Sequence, residues 1–151
     1  MIIGPKVNRE KECEAILRSL PEWFGIEDSL QMYARDSGTL PTFAFTEEDK
    51  LVGFISLVQH FPESWEVHCI AVHARRRNTG IGSHLLKYSE NWLSSQGVKY
   101  IQIKTVADSV DDANYAQTRE FYLRKGYTPV EVFPTIWHPG CPALQLIKKL
   151  Q

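Results

Sequence analysis

The sequence predicts a mixed α+β fold in one domain, 1–151, with a central twisted mixed sheet of about six to seven strands and about four flanking helices. Three observations lead there. Residues 66–96 read as a strand, a glycine turn and a helix. The stretch before them, from Thr42, reads as an antiparallel meander. The stretch after them alternates strand and helix, then closes with two more strands.

Each element has a local reason. Met1–Gly4 forms a short first strand that Pro5 closes. Asn8 caps a helix over Arg9–Leu20, because Cys13, Ile16, Leu17 and Leu20 recur at helical spacing and Pro21 stops the run. Glu22 to Gly25 is a loop carrying Trp23 and Phe24. Leu30, Tyr33 and Ala34 give a second helix, Glu27–Asp36, an apolar side. Thr42–Thr46 and Leu51–Val58 are strands joined by the charged turn Glu47–Lys50, and Phe61–Ser64 turns into a strand starting near Trp65. In the helix opening at Ile81, the apolar residues Ile81, Leu85, Leu86, Trp92 and Leu93 share one broad face, and Gly97 suits the position after its end. Tyr100–Val106 is a buried strand, Ala107–Asn114 an acidic loop, and Tyr115–Lys125 a helix that ends at Gly126. Thr128–Phe133 and Ala143–Lys149 are the last strands, with Pro134–Pro142 as the loop between them.

Composition narrows the function classes. The chain is 43% hydrophobic and 23% charged, with a net charge of −1. That is ordinary for a soluble globular protein and offers no global basic field for nucleic acid. The start Met1–Lys6 lacks the apolar core of a signal peptide, and no apolar run reaches membrane-spanning length. Cys13, Cys69 and Cys141 are odd in number and widely spaced, so they read as reduced thiols without a zinc or redox motif. His60, His73 and His84 show no metal-ligand spacing and read as surface. The expectation is a cytoplasmic protein with no metal, no nucleic acid and no membrane partner.

The central stretch carries the chemistry. A strand that passes through a glycine turn into a helix makes an anion site, because the first-turn N–H groups lack partners and the helix dipole points its positive end at the ligand. Two nucleotide fingerprints fail. Nothing matches GxxxxGK[ST], and in Gly80-Ile81-Gly82-Ser83-His84-Leu85 the third glycine of GxGxxG is replaced by Leu85. What remains is Arg77-Asn78-Thr79-Gly80-Ile81-Gly82, an Arg-x-x-Gly-x-Gly run directly after Ile70-Ala71-Val72. A second motif follows downstream, Thr118-Arg119-Glu120-Phe121-Tyr122-Leu123-Arg124-Lys125-Gly126-Tyr127.

With these two motifs in order and at this spacing, the chain resembles the GNAT family of N-acetyltransferases from about Thr42 to its end. The resemblance implies acetyl-CoA as cofactor. It places the pyrophosphate on the N–H groups from Arg77 through Asn78, Thr79, Gly80, Ile81 and Gly82 to Ser83, and pairs the pantetheine arm with the backbone of Ile70, Ala71 and Val72. Thr79 stands where the family often has a basic residue; Tyr115, the remaining cofactor contact the resemblance implies, stands where the family often has Asn, with Asn114 one position earlier. It further implies a single-domain enzyme acetylating a primary amine, in a small molecule or alternatively at a protein N-terminus or lysine. A non-catalytic acyl-CoA sensor is the other reading. Many relatives dimerise, which adds a homodimer to the expectations.

Amine acetylation needs a base, a donor to the thioester oxygen and a donor to the departing sulfur. Glu66, fourteen residues before Gly80, matches the catalytic glutamate of histone-acetylating relatives and is the first base expected. His68 is the second. Tyr122 is the acid, since a phenol keeps its proton at neutral pH. The Ile70 N–H is the carbonyl donor by analogy. Regular alternation turns Cys69 away from Glu66 and His68, so direct attack is expected over a thiolate relay. Aromatic side chains in the loops suit a hydrophobic or aromatic acceptor.

Overall fold

The computed structural model describes residues 1–151. Seven strands form one mixed sheet: β1 (Ile2–Ile3), β2 (Thr42–Glu47), β3 (Lys50–Phe61), β4 (Ser64–Val72), β5 (Tyr100–Val106), β6 (Thr128–His138) and β7 (Cys141–Lys149), in the order β1-β2-β3-β4-β5-β7-β6. Four helices flank it: α1 (Glu10–Arg18), α2 (Glu27–Asp36), α3 (Ile81–Ser95) and α4 (Ala113–Arg124). All neighbours are antiparallel except β4 and β5. The fold class expected from the sequence is the one observed. None of the helices is long and apolar enough to cross a membrane.

Strand alternation separates two cores. Phe43, Ile55, Leu57, Val67 and Ile101 pack under Ile81, Leu85, Leu86 and Leu93 of α3. Ala44, Phe54, Cys69 and Ala71 point the other way, against Cys13, Ile16 and Leu17 of α1 and Leu30 and Ala34 of α2. The helical stripes expected of α1, α2 and α3 are the buried ones, except that Tyr33 and Trp92 are only half-buried.

Two local expectations are corrected. Asn8 does not cap α1: its φ is +55°, Arg9 holds the cap position, and no side chain bonds the helix start. The expected loop Pro134–Pro142 is mostly strand, because β6 runs on to His138 and leaves only Pro139 and Gly140 to turn. Proline is tolerated in β6 because β6 is the sheet edge, where a missing N–H removes no ladder bond, and its pairing with β7 is irregular between Phe133 and His138.

Two features of β4 position the site. First, β4 meets β5 only through Ser64–Glu66 against Tyr100–Gln102, and past Glu66 the two strands diverge. Second, β3 pairs Ser56 with Cys69 and Leu57 with Val67, so His68 is an extra residue, a β-bulge. The bulge resets the alternation. Val67 faces the α3 core, His68 bonds α2, and Cys69 belongs to the α1–α2 core on that same face. The expectation that Cys69 faces away from His68 is therefore corrected.

Candidate active site

The splay of β4 from β5 opens a cavity of about 620 Å³. Its floor is His68–Val72 of β4 and Ile103–Val106 of β5. Arg77, Asn78 and Gly82 line one end, Tyr115, Thr118, Phe121 and Tyr122 of α4 one side, and Trp23, Phe24 and Tyr33 another, with Ile136–His138 and Cys141 from the β6–β7 hairpin.

Backbone polarity in the floor follows from one hydrogen bond. The His73 N–H donates 2.8 Å to the Val52 carbonyl on β3. N–H groups alternate sides along a strand, so those of Ile70 and Val72 point away from β3, into the gap where β5 has diverged. They are unpaired donors facing a cavity, a sheet edge inside the molecule.

A second set of donors stands at the start of α3. Gly80, at the cap position, has φ +87°, and Asn78 has φ +61°. The Ile81, Gly82 and Ser83 N–H groups have no acceptor within the chain. A Cβ at Gly80 would meet nothing within 4 Å, so the turn is open to whatever approaches it. The three arginines differ in use. Arg76 is held by Glu47 at 2.7 and 2.6 Å, Arg75 is exposed, and Arg77 alone reaches the cavity, its guanidinium 4.1 Å from the centre of the Trp23 ring. The Thr79 hydroxyl donates to the Arg76 carbonyl and braces the turn. Together these donors fit a phosphate-bearing ligand with an amide-containing arm.

The titratable groups fall into two sets. His68 lines the cavity, and its Nε2 lies 2.9 Å from Asp36 Oδ2 of α2, with the Tyr33 ring edge-on at 5.1 Å. An ionised carboxylate only accepts hydrogen bonds, so a neutral imidazole here carries its proton on Nε2 and keeps the Nδ1 lone pair. Glu66 is not in the cavity wall. Its Oε1 lies 2.6 Å from His60 Nε2, and Lys104 Nζ donates 3.0 Å to its Oε2. His60, read as a lone surface residue, is thus a partner of Glu66. Asp36 was legible only as a helix end, because its partner lies 32 positions away.

Tyr122 is 2% exposed, between Phe121 and Tyr127, whose rings sit edge-on at 5.2 and 5.6 Å. Burial, with Cys69 nearby, pushes its pKa up, so the phenol stays protonated. No protein group bonds its hydroxyl, yet the hydroxyl is not sealed off: the Ser89 hydroxyl is the molecule's one fully buried, unpartnered side-chain polar atom. Cys69 also lines the cavity, but burial raises its thiol pKa and disfavours the thiolate. Tyr115 reaches the cavity and donates through its hydroxyl 3.1 Å to the Trp23 carbonyl. The Trp23 indole N–H donates 3.1 Å to Thr118 Oγ1, so Trp23 clasps the α1–α2 loop to α4. Asp112 caps α4 through the N–H groups of Asn114 and Tyr115.

Comparison with known proteins agrees with this geometry. The model of the Acetyltransferase (GNAT) family matches residues 10–127. No curated protein matches the sequence. Among solved structures, a GNAT-family protein from Desulfovibrio desulfuricans superposes with TM-score 0.84 at 17% identity, over 100% of this chain and 99% of that one. An aminoglycoside 6'-acetyltransferase type Ii superposes with TM-score 0.78 at 28% identity, over 99% and 96%. An aminoglycoside 6'-N-acetyltransferase complexed with coenzyme A gives TM-score 0.76 at 23% identity, over 99% and 96%.

Proposed function

The chain belongs to the GNAT acetyltransferase family, and on that premise we propose that it is a single-domain N-acetyltransferase moving an acetyl group from acetyl-CoA to a primary amine of a small molecule, by direct attack in a ternary complex. The observation that carries this is the unpaired run of β4, whose Ile70 and Val72 N–H groups face a cavity shared by His68 and Tyr122.

Acetyl-CoA supplies the acetyl group as a thioester. The N–H groups of Ile81, Gly82 and Ser83, with the Arg77 guanidinium, hold its pyrophosphate. The backbone of Ile70–Val72 holds the pantetheine arm as an added strand, and the Ile70 N–H donates to the thioester oxygen. His68 takes the amine proton at Nδ1, while Asp36 fixes the ring through Nε2. Tyr122 holds its proton at Oη for the departing sulfur. Glu66, paired with Lys104 and His60 behind the wall, sets the position of Lys104 rather than meeting the amine.

Initial velocities with acetyl-CoA and a small amine, followed by release of free CoA thiol, test this reading. Intersecting double-reciprocal lines are expected. Parallel lines with acetyl-Cys69 on the protein would replace direct attack by a relay. CoA binding without turnover across a broad amine panel would make the protein a sensor.

A further inference from the structure

We propose that the acceptor has an apolar, preferably aromatic, body and a single ammonium group, and that polycationic amines are excluded. This rests on the acetyl-transfer reading only for the cavity's being the acceptor site.

No aspartate or glutamate lines the cavity; of its two fixed cations, Lys104 is paired with Glu66 and Arg77 stands at the end near α3. The two carboxylates behind the wall are already engaged. Asp36 holds His68 at 2.9 Å, and Glu66 holds Lys104 at 3.0 Å and His60 at 2.6 Å. A second or third ammonium would leave its water and find no carboxylate in the wall to pair with. The walls instead offer Phe24, Tyr33, Ile136 and Trp137. Aromatic faces accommodate one ammonium well. They do not multiply that offer, because Arg77 already covers the Trp23 ring.

Two of the structural relatives are aminoglycoside 6'-acetyltransferases, and aminoglycosides carry several amino groups. This chain shares their fold, but its cavity wall lacks the carboxylates that would pair with several ammonium groups. Each extra unpaired ammonium costs on the order of tenfold or more in affinity and in kcat/KM.

The test measures binding and turnover separately on the full chain. Calorimetric titration of the CoA-loaded protein with phenethylamine, spermidine and kanamycin reads affinity without chemistry. Phenethylamine is expected to bind at least about tenfold tighter than either polyamine. Equal or tighter binding of spermidine or kanamycin overturns the proposal, as does absence of phenethylamine binding. If phenethylamine binds and no amine is acetylated, the transfer reading fails while this one stands. A second variant tests the cause. Trp137→Glu places a carboxylate in the wall at a position already 44% exposed on the edge strand. It should cut the discrimination against spermidine by about tenfold while leaving CoA affinity unchanged. Unchanged discrimination in a folded variant, checked by its CoA affinity, overturns the proposal.

Discussion

Tyr122→Phe removes one oxygen and nothing else from the site, and the structure separates its two consequences. The ring keeps its edge-on contacts with Phe121 and Tyr127, and no protein hydrogen bond is lost, because none is made to the hydroxyl. Removing a polar group without a protein partner spares its desolvation, so stability should stay level or rise by up to about 1 kcal/mol. Catalysis should respond in the opposite sense. Losing one donor aimed at developing charge costs about 100-fold to 1000-fold in kcat, or about 2.7–4 kcal/mol. Because burial raises the Tyr122 pKa, the phenol is protonated throughout the assay range. The variant should therefore lower the whole pH–rate plateau without erasing either limb. The assay is kcat at saturating acetyl-CoA, with CoA affinity by calorimetry and a urea midpoint on the same preparation. A kcat within about twofold of the parent, with affinity and midpoint unchanged, would refute the acid role.

Three further outcomes are expected. His68→Asn should lower kcat about 100-fold while Glu66→Gln leaves it within a few-fold of the parent; the reverse pattern makes Glu66 the base. Gly80→Ala forces a side chain into φ +87°, which should cost about 1–2 kcal/mol in a denaturation curve. It should also weaken CoA binding about tenfold, since the new methyl stands in the open approach to the α3 donors; tight CoA binding by the variant would remove those donors from the cofactor site. Glu12 accepts 2.6 and 2.8 Å bonds from Arg9 and one from the Leu51 N–H, which hold its pKa below the ordinary value. A depressed folded pKa gives stability that is complete above the unfolded value near 4.3 and is lost as pH falls through the folded one. Glu12→Gln should thus be less stable by a few tenths to about 1 kcal/mol at neutral pH, with the gap narrowing as pH falls below the unfolded value; a gap that does not narrow in acid contradicts the assignment.

How far the residues announced the structure depended on the range of the cause. The α2 ends and the limits of β5 follow from local pattern, and the motifs at Arg77–Gly82 and Phe121–Tyr127 placed the cavity's ends. The β6 extension was hidden because Pro134 argues against a strand everywhere except at an edge, and edge position is a property of the whole sheet. The bulge at His68 carries no glycine to mark it. It arises from how β3 registers against β4, and it reassigned Cys69. The relative placement of Glu66 and His68 was equally out of reach. Residues two apart on a strand look equivalent, and only Asp36 from α2 and Lys104 from β5 distinguish them.

The parting of β4 from β5 has an evolutionary consequence. A ligand gripped through peptide N–H groups asks nothing of the side chains that bear them, beyond fitting the cores on either face. Ile70, Ala71 and Val72 answer to the packing of α3 and of α1–α2. Drift at these positions is limited by volume, and the cofactor end of the molecule can stay constant in chemistry while its letters change. The cavity walls that we assign to the acceptor, drawn from the α1–α2 loop and the β6–β7 hairpin, lie on separate pieces of chain. They can be rewritten for a new amine without renegotiating the strand that holds the donor.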